Sequence, residues 1–435
     1  MSAAATPPAG ARGDAILDRL QALHPQLIDL SLGRLERLLA KLGHPERRLP
    51  LAIHVAGTNG KGSTCAFLRA IAEAAGMRVH VYTSPHLLRI NERIRLANAL
   101  VSDAAFADAL EEVERVNAAD PITIFEVITA VAFLLFARVP AELAVIEVGL
   151  GGRFDATNVI PRPAACAITS ISVDHREYLG DTAERIAGEK AGILKRGVPA
   201  VTGAQSEPVL AVLDRAAASA GVRLLAQDRD WTVVPTRSGF AHADARGRLD
   251  LPAPSLIGRH QLDNAGIAIA ALRAAGLGVP DAAVAAGVAR ADWPARLQLL
   301  RGRLAALLPG GWELWLDGGH NAGAGAILGR HLETWRDRPA HLIVGMKQSK
   351  DAAQFLAPLL PHAASVWAVA EPGQHQAMPA ETIIAASGSV ARPGGHVEAA
   401  LRAIPREDPP ARVLICGSLY LAGEVLKLDG WMSGD

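Results

Sequence analysis

The sequence predicts an α/β protein of two units. The larger has a mostly parallel sheet with a small antiparallel subdomain, and the smaller, C-terminal one is Rossmann-like. Three observations predict it. Apolar runs of four to eight residues alternate with longer Ala/Leu-rich helical patterns, the mark of βαβ units. Hydrophobic residues make up 50% of the chain but aromatics only 4%, a core of small aliphatics suited to helices on parallel strands. Residues 51–69, LAIHVAGTNGKGSTCAFLR, set a glycine-rich turn between an apolar strand and an apolar helix. The 435 residues accommodate two or three domains at roughly 150 residues each.

Taken in order, residues 1–14, MSAAATPPAGARGD, lack an apolar segment and read as a disordered tail. Strands are expected at Leu51–Ala56, Arg78–Thr83, Leu143–Val148, Ala165–Ile171 and Pro199–Thr202. Helical patterns cover Ser63–Ala75, Asp103–Asn117, Glu126–Ala137, Thr182–Leu194 and Glu207–Ala220. Between Val222 and Leu251, short alternating runs around Arg237-Ser238-Gly239 and Ala245-Arg246-Gly247 predict antiparallel hairpins, then a helix over Gln261–Ala275. Asp292-Trp293-Pro294-Ala295 marks the exit from this unit, taken as residues 15–297. A second series, within 298–435, follows: strand Trp312–Leu316, helix Ala322–Thr334, strand His341–Gly345, helix Asp351–Leu360, and strands Val366–Ala370 and Val413–Cys416. Two such units form a cleft, a common place for ligands.

Composition excludes several roles. Lys plus Arg equals Asp plus Glu at 44 each, with no basic block, which argues against nucleic-acid binding. Cys65, Cys166 and Cys416 lie far apart, so neither a disulfide framework nor a zinc site is expected. The longest apolar run, Val127–Ala137, is too short to cross a bilayer. A soluble, cytoplasmic monomer with small-molecule partners is expected, and no membrane partner.

The turn Gly57-Thr58-Asn59-Gly60-Lys61-Gly62-Ser63 reads as a phosphate cradle. Glycines let successive N–H groups point at an anion, and the following helix adds its positive end. Lys61 supplies a charge for outer phosphates, and Ser63 or Thr64 a hydroxyl for Mg²⁺. The spacing departs from GxxxxGK[ST]: Gly62 intervenes between Lys61 and Ser63, and Gly57 is one residue too close.

Three further clusters end strands, where parallel sheets bind ligands. Ser84, in YTSPHL, offers a hydroxyl or backbone ligand to a metal, though Ser-Pro alone also suits a plain turn. Glu147 ends an apolar strand, where a carboxylate needs a partner such as Mg²⁺. His175, in SVDH, is placed to complete that site, with Asp174 orienting its ring. Lys190, in AGEKAGI, reads on composition as part of an ordinary charged helix face.

GTNGKGS, SPHL, Phe125-Glu126, EVGLGGRFDATN, SVDH, EKAGI, GRHQLDNA, PARLQ, LDGGHN and CGSLY follow one another in the order and spacing of the Mur ligase superfamily. More narrowly, the chain resembles the folylpolyglutamate synthase/dihydrofolate synthase family from about Ile28 to Glu424. The resemblance implies an ATP-binding unit followed by a glutamate ligase unit. It implies that Gly57–Ser63 hold ATP phosphates and that Ser84, Glu147 and His175 ligate two Mg²⁺ ions. By the same resemblance Lys190 carries a CO₂-derived carbamate (N6-carboxylysine), Asn264 contacts adenine, Arg296 a phosphate and Asp317 the ribose. His320 faces the interdomain cleft, and Lys61, Lys190, Arg296 and His320 form the catalytic group. Ile28, Asp29, Leu30, Thr123, Phe125, Phe154 and Asp155 resemble the pterin-binding set. Phe125 fits either ring stacking or plain core packing. Ala295 and Gly319 depart from the family's usual glycine and alanine, without touching a charged atom.

The implied activity is ATP-dependent joining of L-glutamate to dihydropteroate and to tetrahydrofolate (poly)glutamates through an acyl phosphate. A monofunctional folylpolyglutamate synthase is the nearest alternative. A peptidoglycan-precursor ligase fits worse, since only about 50 residues precede the loop, short of a further domain. A P-loop switch protein would leave His175, Lys190, Arg296 and the second unit without roles.

Overall fold

The computed structural model describes residues 9–23, 29–406 and 410–432. The first sheet has eight strands: β1 (Leu51–Ala56), β2 (Val79–Tyr82), β3 (Ile94–Leu96), β4 (Ala99–Leu100), β5 (Leu143–Glu147), β6 (Ala165–Ile168), β7 (Ala200–Thr202) and β8 (Leu224–Ala226). Their order is β4-β3-β2-β5-β1-β6-β7-β8, and only the β3 and β4 pairings are antiparallel. β1 is central, with Val55 paired to Glu147 on one side and Ala167 on the other. The turns after β1, β2, β5 and β6 therefore converge at one edge. Alternation along β1 divides its side chains: Ile53 and Val55 join the core under helices Lys61–Ala74 and Arg259–Ala274, and Ala52 the core under Ile124–Arg138.

An antiparallel sheet of β9 (Thr232–Pro235), β10 (Gly239–Asp244) and β11 (Gly247–Pro252) realises the expected hairpins. Leu224–Ala226, expected among them, instead pairs in parallel with β7. The second unit holds β12 (Gln298–Leu300), β13 (Glu313–Leu316), β14 (Ala340–Val344), β15 (Ser365–Val369), β16 (Arg392–Gly395) and β17 (Arg412–Cys416), ordered β12-β13-β17-β14-β15-β16. Among the described residues no helix is long and apolar enough to cross a membrane.

Other expectations change as well. Residues 9–14 belong to a helix, Ala9–Leu23, whose Ile16 and Leu20 are buried; residues 1–8 and Ile28 lie outside the described residues. β6 stops at Ile168 because the next residues leave the sheet to serve the phosphate loop, Ser170 O accepting from Thr58 N and Asn59 N. The helix expected over Thr182–Leu194 ends at Lys190 and tightens into a 3-10 turn, Ala191–Ile193. Helices Asp281–Arg290 and Leu419–Asp429, with β12 and β16, were not read from the sequence.

Candidate active site

A cavity of about 610 Å³ lies at the carboxyl edge of the first sheet and reaches into the second unit, lined by Lys61, Glu147, Lys190, Arg296, Asp317 and Phe125 among others. The loop at its base is tightly supported. Gly57 (φ 146°) leaves no room for a side chain, since a Cβ there would sit 1.8 Å from Thr169 Oγ1. A Cβ on Gly60 would meet Asn264 Oδ1 at 2.3 Å, which places Asn264 against the loop. The extra glycine has a cause too: a Cβ on Gly62 would meet Trp293 Nε1 at 2.5 Å, so the interdomain connection packs onto the loop at this point. Ser63 lines the cavity, whereas Thr64 is buried with its hydroxyl unpartnered.

Two lysines meet at one carbonyl. Lys190 Nζ donates to Gly57 O at 2.8 Å and Lys61 Nζ donates to it at 3.1 Å, with a further contact to Thr58 O at 3.3 Å. Burial, then the charge of Lys61, brings Lys190 down to about 7. An amine with a substantial neutral fraction near pH 7 is thus held beside the phosphate loop. Glu147 is buried, and burial raises its pKa against the opposing charges of Lys61 and Arg296. Its Oε2 accepts from Ser84 N at 3.1 Å. Among the described residues no three His, Cys, Asp or Glu side chains converge as a ready metal cage. Glu147, Ser84 and His175 still suit Mg²⁺, which takes one or two carboxylates and fills its shell from phosphates and water.

His175 has φ 52° and starts the turn Arg176–Leu179; burial, then Lys350, lowers its pKa to about 4, so the ring is neutral. Asp174 does not orient that ring. Its Oδ1 accepts from His175 backbone N at 2.8 Å and from Lys350 Nζ at 2.5 Å, and its Oδ2 from Asn321 Nδ2 at 2.9 Å. Burial opposes the charged form of Asp174, but His320, Lys350 and His175 hold it well below the carboxylate range. Asn321 also exchanges hydrogen bonds with Asn59 of the phosphate loop, at 3.1 and 3.2 Å. The second unit thus grips both the loop and the segment before His175. Lys350 stands in no motif, and LDGGHN includes Asn321 without giving it a role; the partners of both lie far away in the chain.

Arg296, Asp317 and His320 line the same cavity. Asp317 is engaged by the protein: its oxygens accept from Leu297 N at 2.9 Å and Gly319 N at 2.7 Å, fixing the interdomain connection. His320 Nδ1 lies 2.9 Å from Gly318 O, and its Nε2 3.7 Å from Asp174. Ala295 has φ 56°, a conformation glycine adopts more easily.

On the opposite face of the sheet, Phe125 packs on the core with its ring against Gly149, where a Cβ would approach to 2.4 Å, while also lining the cavity. Phe154 is 47% exposed and lines it too, as do Asp29 and Leu30. Thr123 and Asp155 line the cavity as well and also hold its local structure. Thr123 caps helix Ile124–Arg138 in a reciprocal pair with Glu126. Asp155 accepts from Leu150 N and Thr157 N, both at 2.9 Å, and so holds the turn that carries Phe154.

Residues 55–272 match the Mur ligase middle domain and residues 305–428 the dihydrofolate synthetase C-terminal domain. The chain is 34% identical over 432 residues to the dihydrofolate synthase/folylpolyglutamate synthase of Escherichia coli, covering 99% of this chain and 98% of the relative. It superposes on the structure of E. coli FolC in complex with DHPP and ADP with a TM-score of 0.88 at 32% identity, covering 97% of this chain and 99% of that one. A bifunctional folylpolyglutamate synthase/dihydrofolate synthase with Mn, AMPPNP and L-glutamate bound gives a TM-score of 0.85 at 33% identity, covering 97% and 99%. The chain belongs to the dihydrofolate synthase/folylpolyglutamate synthase family, on a Mur-ligase-type fold.

Proposed function

We propose that this protein joins L-glutamate to dihydropteroate, forming dihydrofolate, and to tetrahydrofolate (poly)glutamates, with conversion of ATP to ADP and phosphate. The observation that carries the reading is the convergence of Lys61, Lys190 and Glu147 on a phosphate loop in a cavity that also presents Phe125 and Phe154. The E. coli relative bears both activities in its name.

In this reading the acceptor's carboxylate oxygen attacks the γ-phosphorus in line, and ADP leaves. The amine of glutamate then attacks the acyl phosphate carbonyl, loses a proton and expels phosphate. Such transfers need positioning and charge neutralisation rather than a protein nucleophile. Lys61 turns from the Gly57 and Thr58 carbonyls to the outer phosphates, and Arg296 adds charge from the domain junction. Phe125 and Phe154 flank the pterin, with Asp29 and Leu30 at the same end. Ser84, Glu147 and His175 are the residues that would hold Mg²⁺, two ions in this reading, which when bound neutralises phosphate charge. The neutral Lys190 amine is the form that adds CO₂, and its carbamate would extend oxygen toward the same place. His320 and the Asn321–Asn59 contact close the second unit over the loop, excluding water from the acyl phosphate.

A P-loop switch would have no use for a second unit bonded to its loop. The test is ADP release with ATP, Mg²⁺ and glutamate, with either dihydropteroate or tetrahydrofolate as acceptor. Strict dependence on glutamate and either acceptor is expected. Turnover of tetrahydrofolate alone would reduce the protein to a monofunctional synthase, and glutamate-independent hydrolysis at the same rate would refute ligation.

A further inference from the structure

Arg34, in the first turn of helix Gly33–Lys41, has no part in the chemistry above. Its guanidinium engages two acidic residues with all of its nitrogens. Nη1 donates to Asp29 Oδ2 at 2.8 Å, Nη2 to Asp29 O at 2.8 Å, and Nε to Glu126 Oε2 at 3.1 Å. The side chain of Arg34 is 13% exposed and that of Glu126 3%, against 34% for Asp29. Charged hydrogen bonds so shielded from water are strong, and a flat guanidinium fixes the direction of each partner.

Both acidic residues line the large cavity, Asp29 with Leu30 and Glu126 with Thr123 and Phe125. Arg34 thus ties the segment before its own helix to the start of helix Ile124–Arg138, bonding to a residue 92 positions away. Glu126 Oε2 accepts in addition from Thr123 N at 2.8 Å and Thr123 Oγ1 at 2.9 Å. Those two bonds hold the helix cap without Arg34. Asp29 is more open, and its carboxylate and carbonyl share the one guanidinium as an anchor.

We infer that Arg34 is a positioning residue for acceptor recognition: it holds the Asp29 carboxylate where the pterin ring binds, an inference that rests on the folate–glutamate reading. A pterin carries an amino group and a ring N–H side by side on one edge, paired donors that suit a carboxylate. An ionised carboxylate offers about four lone-pair sites, of which the bond from Nη1 takes one. Arg34 does not touch the ring; it acts through Asp29 and through the Glu126 cap that carries Phe125.

The experiment measures KM for dihydropteroate, ATP and glutamate in wild type, R34Q, R34K, D29N and the double variant R34Q/D29N. KM does not depend on how much of a preparation is folded, so lost stability does not mimic the effect. R34Q should raise KM for dihydropteroate about tenfold, as for loss of one charge-assisted hydrogen bond. KM for ATP and for glutamate should change little. R34K keeps the charge without the planar fork and should recover part of the loss. Because Arg34 acts through Asp29, the double variant should be no worse than the poorer single one. An unchanged dihydropteroate KM in R34Q, an equal rise for all three substrates, or fully additive losses would overturn the assignment. Absence of any folate turnover by wild type would instead remove the reaction on which it rests.

Discussion

Lys190 Nζ donates to the carbonyl oxygen of Gly57 at 2.8 Å, joining residues 133 apart in the chain. That bond places the amine beside the phosphate loop, where burial, then the charge of Lys61 on the same oxygen, brings it down to about 7. Lys190→Ala should lower kcat by about 10²-fold or more, as for other removed charge-stabilising groups. Acetate or propionate should restore part of the activity to that variant if a carboxylate-like group is what the position supplies. Steady-state rates with and without added acid decide it, and no rescue would contradict a carbamate role.

Gly62→Ala should disturb the loop through Trp293, whose Nε1 would lie 2.5 Å from the new methyl. The expected result is a KM for ATP raised about tenfold, a cost of roughly 1–2 kcal/mol typical of overpacking. Trp293→Ala in the same chain should recover part of the loss. A double-mutant cycle with additive effects would show that the two residues do not couple.

Asn321→Ala removes the bonds from the second unit to Asn59 and Asp174 together. Looser closure should raise glutamate-independent ATP hydrolysis relative to amide formation by several-fold. The ratio of ADP to glutamylated product measures this. A ratio held at one would mean that closure does not depend on Asn321.

His54 on β1 is fully buried, and burial, then the charge of Lys195, lowers its pKa to about 3. Its Nε2 lies 2.8 Å from Thr157 Oγ1, which donates to Asp155. The unfolded chain therefore takes up a proton near pH 6.5 that the folded chain takes up only near 3. Stability should be fully present above pH 6.5 and fall toward pH 3, by up to about 1.4 kcal/mol per pH unit. Denaturant melts of wild type and His54→Gln across that range should diverge in slope. Parallel curves would contradict a neutral buried imidazole.

Local features of the sequence disclosed much of this architecture. β1, the phosphate loop and its helix were legible because an apolar run ends abruptly in glycine. Glu147 and Ser84 were legible because polar groups terminate buried strands. Other features depend on tertiary contact. Asp174 looked like a partner for the adjacent His175 ring, yet its carboxylate is claimed by Lys350, 176 residues away. Trp293 read as a mere exit from the first unit, and only packing shows that it sets the glycine at position 62. The helix Ala9–Leu23 is weakly patterned and is held by Ile16 and Leu20 in the core, with Arg12 and Arg19 pairing Asp108, Glu111 and Glu114 around them. The Asp317 carboxylate is already spanned by Leu297 and Gly319, so its fit to a ribose depends on lone pairs no sequence pattern reports.

The most direct measurement follows oxygen. Acceptor labelled with ¹⁸O in its reacting carboxylate is incubated with ATP, Mg²⁺ and glutamate, and the released phosphate is examined by mass spectrometry. An acyl phosphate route predicts one ¹⁸O transferred to phosphate for every amide bond formed. Phosphate free of label, with both ¹⁸O atoms elsewhere, would contradict it.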